Sequence, residues 1–214
     1  VVDRINIGII GYGVVGSGVV KILKNRRKIL KDRYKKDFFI KTVCDRSINK
    51  KNPPGLDNTL LTTDINAILN DPEIHVVVEL IGGMNPAKDI VLRSLRSGKH
   101  VVTANKELIA SCGQELFKEA IANKRSIFYE SSVMAGIPII RMLTEGLAGN
   151  KFNGLYGIIN GTCNYILSEM AKNKISFAEA LRAAQEKGYA ESNPTLDING
   201  MDAAHKLAIL VFLT

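Results

Sequence analysis

The sequence predicts an α/β protein: a doubly wound parallel sheet over residues 1–130, followed over residues 131–214 by an incomplete α+β domain. Three observations carry that prediction. Short β-rich runs alternate with helical stretches at a spacing that requires right-handed crossovers between parallel strands. The first run, Ile5–Ile10, leads straight into the turn Gly11-Tyr12-Gly13-Val14-Val15-Gly16 and then a long helical pattern. After Glu130 the alternation stops, and helical patterns interrupted by Gly136 and Pro138 take over.

Taken in order, Phe38–Cys44 reads as the second strand, ending at Asp45. Ser47–Asn58 holds Pro53, Pro54 and Gly55 and reads as a loop. Asp64 is placed to cap a short helix over Ile65–Asn70, and Val76–Ile81 is a buried apolar strand. Asn85-Pro86 opens a helix that Ser97-Gly98 closes. His100–Thr103 and Ser126–Tyr129 read as strands around a helix over Cys112–Asn123. Beyond Glu130, Leu155–Ile159 reads as a strand and Asn164–Lys172 as a helix. Ser176 and Glu179 stand at capping-box spacing before a helix reaching Lys187. A polar loop over Gly188–Asn199 precedes a last helix from Gly200, apolar throughout Leu207–Leu213. Such a helix needs cover on all sides, so the chain reads as a fragment or as a protein completed by a partner.

The formal charge of +8 suggests nucleic acid until it is located. Ten Lys and Arg residues against Asp32 and Asp37 between Lys21 and Lys41 account for the whole excess. Helical apolar spacing there (Val15, Val19, Ile22, Leu23, Leu30) makes it a solvated helix face, and no reading helix or stacking platform is visible. The expectation is therefore no nucleic-acid partner. The apolar runs fall short of the roughly 20 residues a membrane span requires. Three scattered cysteines (Cys44, Cys112 and Cys163) suit a reducing cytoplasm rather than a disulfide framework or a zinc site.

A glycine motif between a buried strand and a helix is the phosphate turn of a Rossmann-type dinucleotide site. Gly11 permits the tight turn, Gly13 lets the backbone approach a pyrophosphate, and Gly16 lets helix and strand pack closely. The helix N-terminus adds unpaired N–H groups and a favourable dipole. Asp45, at the end of the second strand, is where an acidic residue would take the ribose hydroxyls of NAD. Arg46, with Lys50 and Lys51 following, would instead accept the 2′-phosphate of NADP. The two readings oppose each other, and the sequence leaves both open.

Other polar groups sit where strands end: Gly82-Gly83, and Thr103-Ala104-Asn105-Lys106, whose lysine faces the crevice. The densest cluster is Glu191, Asp197, Asp202 and Lys206. Asp202 and Lys206 are spaced i, i+4 on an otherwise apolar helix, so the pair is expected to be enclosed, and enclosed charges need partners. A lysine held that way is a usable acid or base. In Asn160-Gly161-Thr162-Cys163-Asn164 the cysteine opens a helix. An activated thiolate is one reading, and a small buried residue at a helix entry is the better one.

Together these motifs resemble homoserine dehydrogenases over nearly the whole chain, through IGIIGYGVVGSGVV, VVVELIGG, VVTANKEL, YESSVMAGIPII, GIINGTCNYIL and GYAESNPTLDINGMDAAHKLAIL. The resemblance implies reversible NAD(P)-dependent oxidation of L-homoserine to L-aspartate 4-semialdehyde, in a cytoplasmic homodimer. Lys206 would exchange the hydroxyl proton, with Lys106 as a second lysine near the reacting oxygen and cofactor. Glu191 would bind the substrate ammonium, and Asp197 and Asp202 would hold substrate and lysine. Tyr12, Val14, Val15, Gly82 and Gly188 would contact the cofactor. Carbonyls of Glu130, Val133, Ala135 and Ile137 would hold a monovalent cation such as sodium. Ser192-Asn193-Pro194 departs from the pattern, which usually has an acidic residue before the proline. Members of the family also continue well beyond residue 214, many into a regulatory domain. Two rival readings remain: a thiol-dependent semialdehyde dehydrogenase acting through Cys163, and a truncated NAD(P)-binding module without turnover.

Overall fold

The computed structural model describes residues 3–51, 53, 54, 56 and 58–214. Gly55 of the expected Pro-Gly loop lies outside them. The chain divides into two compact units, the first ending at Ser132 and the second running from Val133 to Thr214.

In the first unit β1 (Asp3–Ile10) leads through the glycine turn into α1 (Val14–Tyr34), then β2 (Lys36–Cys44), α2 (Ile48–Lys51), β3 (Leu60–Thr62), α3 (Asn66–Leu69) and β4 (Val76–Glu79). α4 (Ala87–Arg96), β5 (His100–Thr103), α5 (Lys106–Ala122) and β6 (Ile127–Phe128) complete the sheet, and a 3₁₀ turn over Glu130–Ser132 follows. Among the described residues the sheet has six strands in the order β3-β2-β1-β4-β5-β6, all parallel. That order reverses beside β1, which opens a crevice at the strands' carboxyl ends. The register sharpens the point, because Ile10 pairs with Cys44 on one side and Glu79 on the other, and Glu79 pairs with Thr103. The last residues of four strands thus stand in one row.

Alternation along the strands sends neighbouring residues into two separate cores. Ile9 packs with Val20, Val43, Ile48 and Val78 under α1, whereas Ile10 packs with Ile68, Leu69, Val77 and Ile90 on the other face. α1 buries only Gly16 and Val20, and Ile22 and Ile29 stay exposed. Much of its basic charge is solvated, while Arg27 grips the buried Asp37 through two 2.8 Å hydrogen bonds and Lys24 donates to the Pro54 carbonyl at 2.9 Å.

Several boundaries differ from those expected. The Ser47–Asn58 loop contains α2, because Ile48 is fully buried and pins the turn after β2. β3 was not legible in three residues, Leu60–Thr62, whose strand character comes from pairing with β2. Asp64 does cap α3, its Oδ1 accepting from Asn66 N–H at 2.9 Å. α5 begins six residues before Cys112, since the Asn105 side chain caps it by accepting from Leu108 N–H.

The second unit is helical. α6 (Ile139–Arg141) continues into a π turn over Met142–Gly146, followed by α7 (Gly161–Asn173), α8 (Phe177–Glu186), α9 (Thr195–Ile198) and α10 (Met201–Phe212). Ser176 and Glu179 form the expected capping box, an arrangement worth about 0.5–2 kcal/mol. α7 and α8 close over Ile166, Ala180, Ala184 and Ala190. The strand expected at Leu155–Ile159 is absent. A strand requires a neighbouring ladder, this unit has no other strand among its described residues, and Tyr156 and Ile158 are exposed. α9 interrupts the loop expected over Gly188–Asn199. In α10, Ile209 and Leu210 are buried, while Leu207, Val211 and Phe212 are exposed. Among the described residues no helix is long and apolar enough to cross a membrane.

Candidate active site

The first polar centre lies at the row of strand ends. Gly11 has φ +101°, and a Cβ there would stand 2.7 Å from the Leu80 carbonyl oxygen. At Gly16 a Cβ would meet the Gly11 carbonyl oxygen at 2.0 Å, so only glycine lets α1 approach β1 this closely. Gly13 differs, with nothing within 4 Å of a Cβ position. Glycine here keeps open space over the backbone rather than relieving a clash. α1 starts with no side-chain cap and no acidic residue in its first turn, and Val14 is 91% exposed. Helix N–H groups left this way suit an anion.

Asp45 directly follows the end of β2. Its Oδ2 accepts from Tyr12 N–H at 2.8 Å and Lys51 Nζ at 2.9 Å, and its Oδ1 accepts from the Ser47 N–H and Oγ, both at 2.8 Å. Burial alone would raise its pKa, but these bonds prevail and hold the carboxyl well below the usual range. Lys51 also donates to the Tyr12 carbonyl at 2.8 Å. A carboxylate offers about four lone-pair sites, and all four of these are taken. Arg46, Ser47 and Lys51 line the same pocket as Gly11, Gly13 and Gly82.

The second polar centre lies within the second unit. Asp202 is 5% exposed and pairs with Lys206 at 2.7 Å, one helical turn away. Lys206 Nζ also donates to the Ile159 carbonyl at 2.8 Å. The expected enclosed pair therefore exists, and its partners are explicit. Asn160 joins it to a second carboxylate, since its Nδ2 donates at 2.8 Å to both Asp197 Oδ1 and Asp202 Oδ2, while its Oδ1 accepts from Cys163 N–H. Asn160, Thr162, Gly188, Asp197, Asp202 and Lys206 line one open pocket.

Comparison with known proteins gives the family. The family model described as the NAD binding domain of homoserine dehydrogenase matches residues 11–130, and the homoserine dehydrogenase model matches residues 138–214. The chain belongs to the homoserine dehydrogenase family. It is 44% identical to the Bacillus subtilis homoserine dehydrogenase, covering 98% of this chain and 48% of that protein. The crystal structure of a Thiobacillus denitrificans homoserine dehydrogenase superposes with a TM-score of 0.92 at 44% identity, over 97% of this chain and 48% of that one. A hyperthermophilic archaeal homoserine dehydrogenase in complex with NADPH gives 0.84 at 27% identity, over 98% of this chain and 69% of that one. The chain thus spans about half the length of the bacterial homoserine dehydrogenases it matches.

Within this family frame the expected residues separate into groups. Gly11, Tyr12, Gly13, Val14, Val15, Gly16, Asp45, Arg46 and Gly82 all belong to the first unit's carboxyl-end crevice or the start of α1. Lys106 is the half-buried first residue of α5. Asp197, Asp202, Lys206 and Gly188 share the second unit's pocket, but Glu191 does not line it. Glu191 is exposed after α8, and its backbone carbonyl accepts from Gln185 Nε2. Glu130 sits in the 3₁₀ turn, and Val133, Ala135 and Ile137 follow in irregular chain around Gly136, whose φ is +80°. In the sequence Asn160 stands out only as a neighbour of Cys163. The asparagine-to-carboxylate separations of 37 and 42 residues hid its bridging role.

Cys163 is not set up as a nucleophile. Burial pushes its thiol pKa up, and the nearby Asp197 and Asp202 charges add to that. Its Sγ donates to the Asp197 carbonyl at 3.1 Å. Iodoacetamide at about neutral pH should therefore modify Cys163 more slowly than a free cysteine peptide, read by peptide mass spectrometry. Faster labelling would restore the thiol mechanism.

Proposed function

We propose that the protein to which this chain belongs oxidises L-homoserine reversibly to L-aspartate 4-semialdehyde with NADP. The Asp202–Lys206 pair, tied through Asn160 to Asp197, carries the chemical half of this reading, because it holds a lysine amine between fixed acceptors at the edge of an open pocket. Oxidation of an alcohol by hydride loss requires removal of its hydroxyl proton, and the reverse reaction requires the same proton back. Lys206 is assigned that exchange, with Asp202 holding it in place and Asp197 completing the polar wall. Lys106 is assigned the second positive charge near the reacting oxygen, and Glu191 the substrate ammonium. The Lys106 and Glu191 assignments rest on the family resemblance.

The cofactor cradle fits a dinucleotide. The open backbone at Gly13 and the uncapped N-terminus of α1 would take the pyrophosphate, with Val14, Val15 and Gly82 as further contacts; a Gly188 contact rests on the family resemblance alone. When bound, the nicotinamide accepts the hydride. The saturation of Asp45 supports NADP over NAD: a carboxylate already accepting four hydrogen bonds has none left for a ribose diol. Arg46 and Lys51 stand beside it to meet a 2′-phosphate. The sodium-type cation at the carbonyls of Glu130, Val133, Ala135 and Ile137, and a homodimer formed through the second unit, complete the proposal by resemblance.

The test is homoserine-dependent formation of reduced cofactor by the full-length protein, comparing NADP with NAD. Turnover with homoserine is expected, faster with NADP. Lys51→Ala should raise the KM for NADP about tenfold, the loss of one charge-assisted hydrogen bond, and lower that for NAD by freeing Asp45 Oδ2. No homoserine-dependent reduction would reject the reaction, and equal efficiency with NAD would reject the cofactor assignment.

A further inference from the structure

Glu79 is the last residue of β4, carries a charge-bearing side chain, and is fully buried. A buried carboxyl is retained only where donors surround it, and here they come from two different loops. Its Oε1 accepts from Ile81 N–H at 2.9 Å, and from Gly82 N–H at a longer 3.4 Å. Its Oε2 accepts from Thr103 Oγ1 at 2.7 Å. Thr103 ends β5 and is the register partner of Glu79, which brings the two side chains together on one sheet face.

The chain of bonds continues. Thr103 Oγ1 accepts from Asn105 N–H at 3.0 Å. Asn105 Nδ2 donates across to the Gly83 carbonyl at 2.6 Å, while its Oδ1 caps α5 through Leu108 N–H. The network is thus a closed circuit running from the β4 loop to the β5 loop and back. Thr103 is 1% exposed and Asn105 8%, so water does not compete for these groups. The Gly82-Gly83 turn, with φ +72° and +68°, is a conformation this circuit holds with hydrogen bonds rather than with packing, because nothing lies within 4 Å of a Cβ at either glycine.

We propose that Glu79 is a positioning residue for the cofactor: acting through Thr103 and Asn105, it locks the Gly82-Gly83 turn and the first turn of α5, and so Lys106, into one frame. The inference rests on the cofactor reading given above. Glu79 touches neither cofactor nor substrate in this arrangement. Its role is to remove the independent motion of two loops that would otherwise each have to order on binding.

Thr103→Val keeps the shape and removes the hydroxyl, and Thr103→Ser keeps the hydroxyl. Glu79 only accepts, so Glu79→Gln must turn its NH2 either to Thr103 Oγ1, whose O–H then loses its acceptor, or against the Ile81 and Gly82 N–H groups. In the full-length protein, NADPH affinity from fluorescence titration is expected to fall about tenfold for Thr103→Val and for Glu79→Gln, the cost of one buried hydrogen bond. Thr103→Ser should stay within about twofold of wild type. Backbone hydrogen exchange of Ile81, Gly82 and Leu108, measured without cofactor, should speed up together in both weakened variants. Leu95→Ala, at the far end of α4, is the control for general destabilisation: its melting temperature should fall with NADPH affinity unchanged. Weakened variants that lose thermal stability but keep wild-type affinity and exchange would overturn the proposal. A wild-type protein that binds no NADPH would overturn the cofactor reading and this inference with it. Wild-type binding with unchanged variants would overturn this inference alone.

Discussion

Replacing Lys206 with alanine in the full-length protein is expected to lower kcat for homoserine oxidation about 100-fold to 10,000-fold, the range typical of a removed acid–base group, with cofactor affinity unchanged. Two of the three N–H groups of Lys206 go to Asp202 and the Ile159 carbonyl, which fixes the amine without satisfying it completely. Alanine also removes the counter-charge of buried Asp202, which keeps its hydrogen bond from Asn160, and breaking such a pair costs about 3–5 kcal/mol. Activity therefore has to be read beside a melting curve. The double variant Lys206→Met with Asp202→Asn removes both charges, and should regain stability without regaining turnover. Near wild-type kcat in either variant would remove Lys206 from the chemistry.

The next largest effect is expected at Asn160. Asn160→Asp is almost isosteric, yet it turns two donated hydrogen bonds into contacts between carboxylate oxygens, against Asp197 and Asp202 at 2.8 Å each. The new carboxyl must hold a proton to fit, so its folded pKa rises above its unfolded one. By linkage, the destabilisation grows as pH rises through that folded pKa and shrinks below it. The melting-temperature gap to wild type should thus be narrower at about pH 5 than at about pH 8. At the higher pH kcat should fall about 100-fold, because Asp202 and Lys206 lose their alignment. A gap independent of pH, with normal turnover, would show that the asparagine bridge is dispensable.

How much of this was legible beforehand follows from the range of each interaction. The phosphate turn, the capping box at Ser176 and the Asp202–Lys206 pair span only a few residues, so spacing alone exposes them. The helix start at Lys106 has an equally local cap, Asn105 accepting from Leu108 N–H, but Asn105 reads equally well as one of the polar residues at a strand end. The strand read into Leu155–Ile159 had the right residues and no partner. β3 had a partner, β2, and too few residues to announce itself.

By itself, then, the sequence determined the parallel α/β class of the first unit, the glycine cradle and the family. These depend on local backbone requirements and on periodicity. Only the tertiary structure decided what the charged groups do. Asp45 could be read as a free ribose acceptor until Tyr12, Ser47 and Lys51 filled it, and Glu79 was one more residue of an apolar strand until Thr103 met it across the sheet. A carboxylate's function depends on which donors reach it. Donors brought together from distant loops leave no spacing to read.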